Sequence, residues 1–394
     1  MKEIRLFEAF AGIGSQLKAL KNLKKNLDIE IIPVGAIEFY IDAIVSYMII
    51  HYGTLKPSNL EKQQMVETLN KYCFSNDSKT IINKYYFSNI KLNKLQKIFP
   101  YLYAYVDNEY LNKVYKLNSK WEGFTDINQF FKLPNNIDIL TYSFPCQDLS
   151  QQGKQKGIIK GNRSGLLYEI ERILKTSINS LPKCLVLENV KALTSKRFFK
   201  DFNNWINVLD ELGYKSKWSV LNASEFGSSQ NRERVFLVSL LKSNPNEFHF
   251  PKSFKHKNSL SRIIDMNDNH INCSHLLNHS FAEFKTSNQG IIKSTLLNYT
   301  SFNSESYIYK PDLFGPTLTA SGANSRIKIY DEKRNKLFYM NAIEVYQYMG
   351  FDKEDALKVK QTEILPENKM IFTCGNSISV EVLEALFQEV IKCL

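Results

Sequence analysis

Short apolar runs along the chain alternate with polar, glycine-marked turns, the rhythm of strands that each lead into a helix. Ile4 to Phe7 reads as a short strand, and Phe10-Ala11-Gly12-Ile13-Gly14-Ser15 as a turn. Leu17, Leu20 and Leu23 then recur at helical spacing. A second run, Ile31 to Ile37, ends at Glu38, and Ile41 to Ile50 predicts a mostly buried helix. This is one strand–helix–strand–helix unit. Ile137 to Phe144 and Cys184 to Leu187 are rich in β-branched and aliphatic residues and read as buried strands of a parallel sheet. Phe198 to Leu212 predicts a helix stopped by Gly213, a good left-handed C-cap. Trp218 to Leu221 and Val235 to Leu240 read as further strands. The expected class is α/β.

Two stretches break the rhythm. Residues of about 52 to 120 are rich in Lys, Asn and Tyr, show patchy helical periodicity and hold no glycine between Gly53 and Gly123. They predict a largely helical insertion. From about 244 to 337 the chain turns to Asn, Ser, Lys and aromatics in short irregular segments, the best candidate for a smaller second domain. Helical patterning returns at Asn341 to Met349, followed by a Gly375-Asn376-Ser377 turn and an amphipathic helix from Val380. The expected organisation is a first domain over 1–243, a second over 244–337, and a segment 338–394 that completes the first.

The 394 residues, 43% of them hydrophobic, suffice for one large domain and one smaller one. No stretch reads as long and apolar enough to cross a bilayer, and no signal-peptide segment opens the chain. The six cysteines show no CxxC pair and no adjacent histidines, so reduced thiols in a cytosolic protein are expected, with no disulfide frame and no metal. A formal charge of +11 suits a polyanion such as DNA. Lys-, Asn- and Ile-rich coding bias yields the same figure, so only the chemistry of a site can give the charge a meaning.

That chemistry gathers at the ends of the apolar runs, where open α/β sheets bind their ligands. The Gly12-Ile13-Gly14 turn lets backbone approach a ligand closely. Glu38 stands at the next strand end, where a carboxylate commonly accepts from ribose hydroxyls. The three-glycine dinucleotide pattern is incomplete and no phosphate-binding Lys-Ser/Thr pair follows, so a nucleoside without phosphates fits better, with S-adenosylmethionine the obvious one. Asp126 and Ile127 suit an adenine, one accepting from its amine and the other packing on its ring, although Asp at such a place is also a common turn former. Pro145-Cys146-Gln147 follows the third run and opens a polar loop in which Gly153 and Gly157 flank Lys154 and Lys156. These surroundings favour a reactive thiolate and a loop able to close. Glu188, with Asn189 and Val190, is a strand-end carboxyl that partial desolvation can keep protonated. In Gln230-Asn231-Arg232-Glu233-Arg234 the two arginines share one side of an extended chain and suit a phosphate or a base carbonyl, or else solvent.

In this order the motifs resemble those of the DNA (cytosine-5)-methyltransferases: Phe10-Ala11-Gly12-Ile13-Gly14, Pro145-Cys146-Gln147, Arg163-Ser164-Gly165-Leu166, Glu188-Asn189-Val190, Gln230 to Arg234 and Gly375-Asn376-Ser377-Ile378. The long insert before Asp126 is the best-defined departure and touches no motif. The resemblance implies a Rossmann-like S-adenosylmethionine-dependent methyltransferase domain with a smaller, irregular target-recognition domain. Phe10, Ala11, Gly12, Ile13, Gly14, Glu38, Phe39, Asp126, Ile127, Pro145, Leu166, Asn376 and Ile378 would line the cofactor pocket, S-adenosyl-L-homocysteine being the product. The catalytic group would be Cys146 as nucleophile on carbon 6 of cytosine, Glu188 as proton donor to ring nitrogen 3, Arg234 on the base carbonyl, and Arg232 acting through phosphate or local structure. The base must leave the duplex stack, at a cost of roughly a few kcal/mol.

The loop from Ser150 to Gly165 would then close, with Gln152 or a neighbour filling the vacated space. Ser150, Gln151, Gln152 and Arg163 would thus meet double-stranded DNA, joined from the second domain by Ser301, Asn303, Thr319, Ser321, Gly322, Ala323 and Arg326. The stretch from Gly315 to Arg326 resembles that of short-target bacterial enzymes, particularly those acting on CpG. A monomer in the bacterial cytoplasm is expected, with no membrane partner and room for a cognate restriction endonuclease. The alternatives are a tRNA cytosine-5 methyltransferase, a catalytically silent DNA-binding protein and, less consistent with the glycines, a nicotinamide dehydrogenase.

Overall fold

The computed structural model describes residues 1–144, 163–253, 258–300 and 303–394, and it divides into two compact units. Unit 1 comprises Met1–Leu221, Glu233–Pro251 and Glu384–Leu394; unit 2 comprises Asn222–Arg232 and Lys252–Leu383.

Unit 1 is built on a seven-stranded sheet. Its strands are β1 (Lys2–Ala9), β2 (Ile29–Ile37), β3 (Glu122–Phe124), β4 (Ile139–Tyr142), β5 (Cys184–Val190), β6 (Tyr214–Asn222) and β7 (Glu233–Leu241), in the order β3-β2-β1-β4-β5-β7-β6. β1 through β5 pair in parallel, and β7 runs antiparallel to β5. The central strands are buried along nearly their whole length, as the uninterrupted apolar runs require. Helix α1 (Ser15–Lys24) returns the chain from β1 to β2, and α2 (Ile41–Tyr52) follows β2. The insertion is helical as expected: α3 (Lys62–Leu69), α4 (Tyr86–Asn89), α5 (Leu92–Val106) and α6 (Asn108–Tyr115) precede β3. Helices α7 (Leu167–Thr176) and α8 (Phe199–Glu211) connect the later strands, and Trp205 of α8 donates to the Tyr142 hydroxyl at 3.0 Å inside the core. One apolar cluster joins Phe7, Leu140, Leu185 and Leu237 from the sheet to Ile170, Ile173 and Phe202 from the helices.

Unit 2 departs from the irregular segments expected of its central region. It contains a six-stranded sheet of β8 (Ile271–Asn272), β9 (Lys285–Thr286), β10 (Ile292–Thr295), β11 (Tyr307–Tyr309), β12 (Lys328–Asp331) and β13 (Lys336–Tyr339), ordered β8-β13-β12-β11-β10-β9. Strands of two to four residues are too short to show alternation in sequence. A small core of Cys273, Leu276, Leu296, Ile308, Tyr330 and Leu337 supports it. Helices α9 (Asn303–Ser306), α10 (Ala342–Tyr348), α11 (Lys353–Gln361) and α12 (Glu367–Gly375) lie wholly within unit 2, and α13 (Val380–Cys393) ends the chain. Against the sequence reading, Glu367–Cys393 reaches the length and apolarity of a membrane span. The helical run is interrupted at 376–379, and 72% of its 18-residue apolar window is buried within the protein, as in a core helix.

Candidate active site

The turn after β1 is shaped by three left-handed residues, Phe10 (φ 59°), Gly12 (φ 57°) and Gly14 (φ 79°). Left-handed geometry costs a glycine little, whereas for Phe10 it stores roughly 1–3 kcal/mol, a pattern common at ligand sites. Glu38, just beyond β2, holds this turn. Its Oε2 accepts from the Gly12 N–H at 2.9 Å, while Oε1 accepts from the N–H groups of Phe39 and Tyr40 at 2.9 Å each. The Glu38 N–H donates to the Phe124 carbonyl at 3.0 Å, so the ends of β2 and β3 are tied together. Asp126 lies just past β3, where its Oδ1 accepts from the Asn128 N–H at 2.9 Å, and Ile127 is buried. Two carboxylates at neighbouring strand ends, with Phe10, Phe39 and Ile127 as apolar surface, suit a nucleoside that offers hydroxyl and amine donors. These acceptors and apolar side chains fit the adenosine portion of S-adenosylmethionine.

A second carboxyl supports the turn from behind, and the sequence reading missed it. Glu8 sits on β1 at 1% exposure; its Oε1 accepts from the Leu17 N–H at 3.2 Å and its Oε2 from the Tyr47 hydroxyl at 2.8 Å. Gly14 caps α1 without a side chain to offer, so Glu8 serves an N–H of that first turn instead. Burial pushes the Glu8 carboxyl up to about 7, against the opposing hydrogen bonds from Tyr47 and Leu17. His51 Nε2 lies 3.1 Å from the Ile13 carbonyl, and burial lowers its imidazole well below the ordinary value. A β-carbon at Gly14 would collide with His51 and the Tyr47 ring. The signal for Glu8 was a charged residue inside a strand run, one position before the Ala9-Phe10 step into the glycine turn.

The third constellation follows from strand register. β5 continues through Glu188-Asn189-Val190 rather than turning after Leu187, because β7 pairs with it there. Glu188 faces Phe236 and Val190 faces Arg234, which makes Glu188 and Arg234 diagonal neighbours on one face. The Arg234 Nε lies 3.2 Å from Glu188 Oε1, with both side chains largely buried. Asn189 points the other way and donates to the Phe144 carbonyl at 3.1 Å, fixing the chain where it leaves β4 toward Pro145. A proton donor or acceptor and a guanidinium thus converge at the carboxyl end of the sheet.

The model of the C-5 cytosine-specific DNA methylase family matches residues 86–392. The chain belongs to this family. It is 44% identical over 399 residues to the orphan methyltransferase M.SssI of Spiroplasma monobiae, covering 99% of this chain and 97% of that one. It is also 33% identical over 401 residues to the type II methyltransferase M2.ScrFI of Lactococcus lactis subsp. cremoris, covering 99% of each. Among solved structures, S. pombe Dnmt2 methyltransferase superposes with a TM-score of 0.59 at 17% identity, over 99% of this chain and 98% of its own. The Entamoeba histolytica methyltransferase EhMeth gives 0.58 at 17%, over 100% and 99%. The fold is the Rossmann-like methyltransferase fold, and the protein is a DNA cytosine-5 methyltransferase.

The methyltransferase's remaining candidate residues divide by place. Pro145, Cys146, Ser150, Gln151, Gln152 and Ser301 lie outside the described residues, as do the side chains of Arg163 and Asn303. Leu166 is half-buried against the core of unit 1. Asn376 and Ile378 belong to unit 2, where Asn376 is exposed and Ile378 buried. The two arginines expected to act side by side have different partners. Arg232 is buried in unit 2 and donates from Nη1 to the Leu318 carbonyl at 2.8 Å and from Nη2 to the Ser377 carbonyl at 3.0 Å. Both of these bonds go to backbone carbonyls of unit 2. In the glycine-bearing stretch Thr319 Oγ1 donates to the Ser321 carbonyl at 2.8 Å, Gly322 is left-handed (φ 80°), and Ala323 opens a 3-10 turn. Arg326 is 60% exposed, 3.6 Å from Glu305. Gly375 packs so closely that a β-carbon there would lie 2.7 Å from the backbone of Thr319 and Ala320. Among the described residues no cluster of His, Cys, Asp and Glu could hold a metal ion.

Proposed function

We propose that the protein methylates carbon 5 of a cytosine flipped out of duplex DNA, through a covalent bond to Cys146. The Glu188–Arg234 pair is the observation that supports this reading, because a carboxyl and a guanidinium stand together on one face of adjacent strands. Carbon 5 of cytosine is a weak nucleophile. Addition of the Cys146 thiolate to carbon 6, with protonation of ring nitrogen 3 by Glu188, turns carbon 5 into an enamine carbon. Arg234 holds the base carbonyl and keeps Glu188 oriented. S-adenosylmethionine supplies, when bound, the electrophilic methyl that this carbon takes up, with S-adenosyl-L-homocysteine as product. Loss of the carbon-5 proton then restores the ring and releases Cys146.

Glu38, Asp126 and Ile127 would bind the adenosine. The extrusion of the base costs roughly a few kcal/mol, and the Ser150–Gly165 loop with Gln152 would offset it. Exposed Arg326 and the small residues Ser321 to Ala323 suit groove entry at a short site, and the resemblance of this stretch to enzymes acting on CpG supports that target. One flipped base needs one site, so the protein acts as a monomer.

Methyl transfer from labelled S-adenosylmethionine to duplex DNA, followed by bisulfite mapping, tests the reading. Modification at CpG cytosines is expected. Modification confined to a longer site would end the CpG proposal, and transfer to tRNA but not to duplex DNA would end the substrate proposal.

A further inference from the structure

Midway through the helical insertion, between α3 and α4, a short strap touches both the Glu38 and the Asp126 turns of unit 1. The Ser75 N–H donates to the Phe39 carbonyl at 2.7 Å, and the Ser75 carbonyl accepts from the Ile41 N–H at 2.9 Å, so Ser75 extends the backbone just past Glu38 by one strand-like bridge. Two residues earlier the Cys73 N–H donates to Thr125 Oγ1 at 3.2 Å, beside Asp126. Gln129 Nε2 completes this side with a 3.5 Å contact to Cys73 Sγ. Phe74 and Ser75 are fully buried, which makes these bonds costly to break. Asp77 shapes the outer end, accepting from the Lys79 and Thr80 N–H groups at 2.7 and 2.8 Å and from the Ser75 hydroxyl at 3.0 Å. A cavity of about 280 Å³ lies along the seam, with Tyr72, Cys73 and Asn108 of the insertion on one wall and Trp121, Thr125 and Asp126 on the other.

We infer that the strap Cys73–Ser75 is a positioning element of the methyl-donor site, setting the spacing between the Glu38 and Asp126 turns. The inference rests on the reading of those turns as adenosine-binding. The insertion is then an integral part of cofactor recognition. Thr125 and Ser75 act through Asp126 and Phe39 and need not touch the cofactor themselves.

Calorimetric titration of the full-length protein with S-adenosylhomocysteine tests it, with donor KM and kcat measured alongside. Thr125→Val leaves the partly buried Cys73 N–H without its acceptor and is expected to weaken binding and raise donor KM about tenfold, with kcat at saturating donor within about threefold of wild type. Thr125→Ser keeps the hydroxyl and is expected to restore affinity to within about twofold. Asp77→Ala, on the exposed outer turn, is expected to weaken binding about threefold without loss of fold. Unchanged affinity in Thr125→Val, or Thr125→Ser as weak as Thr125→Val, overturns the inference. Glu38→Ala separates the failures. If it abolishes binding while Thr125→Val does nothing, only the strap falls; if it too leaves affinity unchanged, the adenosine reading and the strap fall together.

Discussion

Replacing Glu8 by glutamine isolates what it costs to keep an ionisable carboxyl beneath the glycine turn. In the native state burial raises this carboxyl from 4.5 to about 7. The folded protein therefore keeps its proton to higher pH than the unfolded chain does. Stability from this group is complete below about pH 4.5 and is lost as pH rises through about 7. At about 1.36 kcal/mol per pH unit the full loss is about 3 kcal/mol, most of it between about pH 5 and about pH 8.5. Glutamine does not titrate, yet its amide can still accept from Leu17 N–H and donate to the Tyr47 oxygen. The pH-independent part of the substitution cancels when one variant is followed across pH. Trp121, Trp205 and Trp218 all lie in unit 1, so tryptophan fluorescence during urea unfolding reports the unit that contains Glu8. Glu8→Gln is expected to gain roughly 2–3 kcal/mol on wild type between about pH 5 and about pH 8.5. Parallel pH profiles, within about 0.5 kcal/mol, would refute the buried-carboxyl reasoning.

Other consequences concern the site itself. Glu188→Gln keeps the shape but removes the proton donor, so kcat is expected to fall roughly 10²- to 10⁴-fold while affinity for S-adenosylhomocysteine stays the same; equal rates in a single-turnover assay would contradict it. Gly14→Ala combines a left-handed backbone with a collision against His51 and Tyr47, and calorimetry should show at least about tenfold weaker cofactor binding. Arg232→Ala leaves two buried carbonyls without their charged donor and is expected to destabilise unit 2 by about 3 kcal/mol, with Arg232→Lys recovering only part because one ammonium cannot reproduce the fork. Hydrogen exchange of unit 2 amides reads that loss.

What the sequence revealed, and what it hid, followed from how local each signal was. The turn after β1 and the end of β2 at Glu38 were legible because glycines and apolar runs mark them within a few residues. Glu8 was overlooked because its partners, Leu17 and Tyr47, lie on two different helices, and only burial shows that it faces inward. The Glu188–Arg234 pair was legible as two motifs but not as a contact, because the contact depends on the antiparallel register of β7 against β5. Arg232 and Arg234 looked equivalent in an extended chain, and separate partners in the fold distinguish them. The strands of unit 2 were hidden by their brevity. The insertion was recognised as helical, but its tie to the Glu38 and Asp126 turns runs through the main-chain N–H groups of Ser75 and Cys73, which carry no signal in the sequence pattern.

Covalent capture of the target base tests the mechanism most directly. A duplex with 5-fluorocytosine at the mapped site, incubated with enzyme and S-adenosylmethionine, presents a carbon whose fluorine cannot be removed as a proton. Wild-type protein should form a complex that survives denaturing electrophoresis, with the modified peptide containing Cys146, and Cys146→Ser should bind the duplex but form none. Wild-type enzyme that methylates the ordinary duplex yet leaves the fluorinated one unbound after denaturation would contradict a bond between Cys146 and the base.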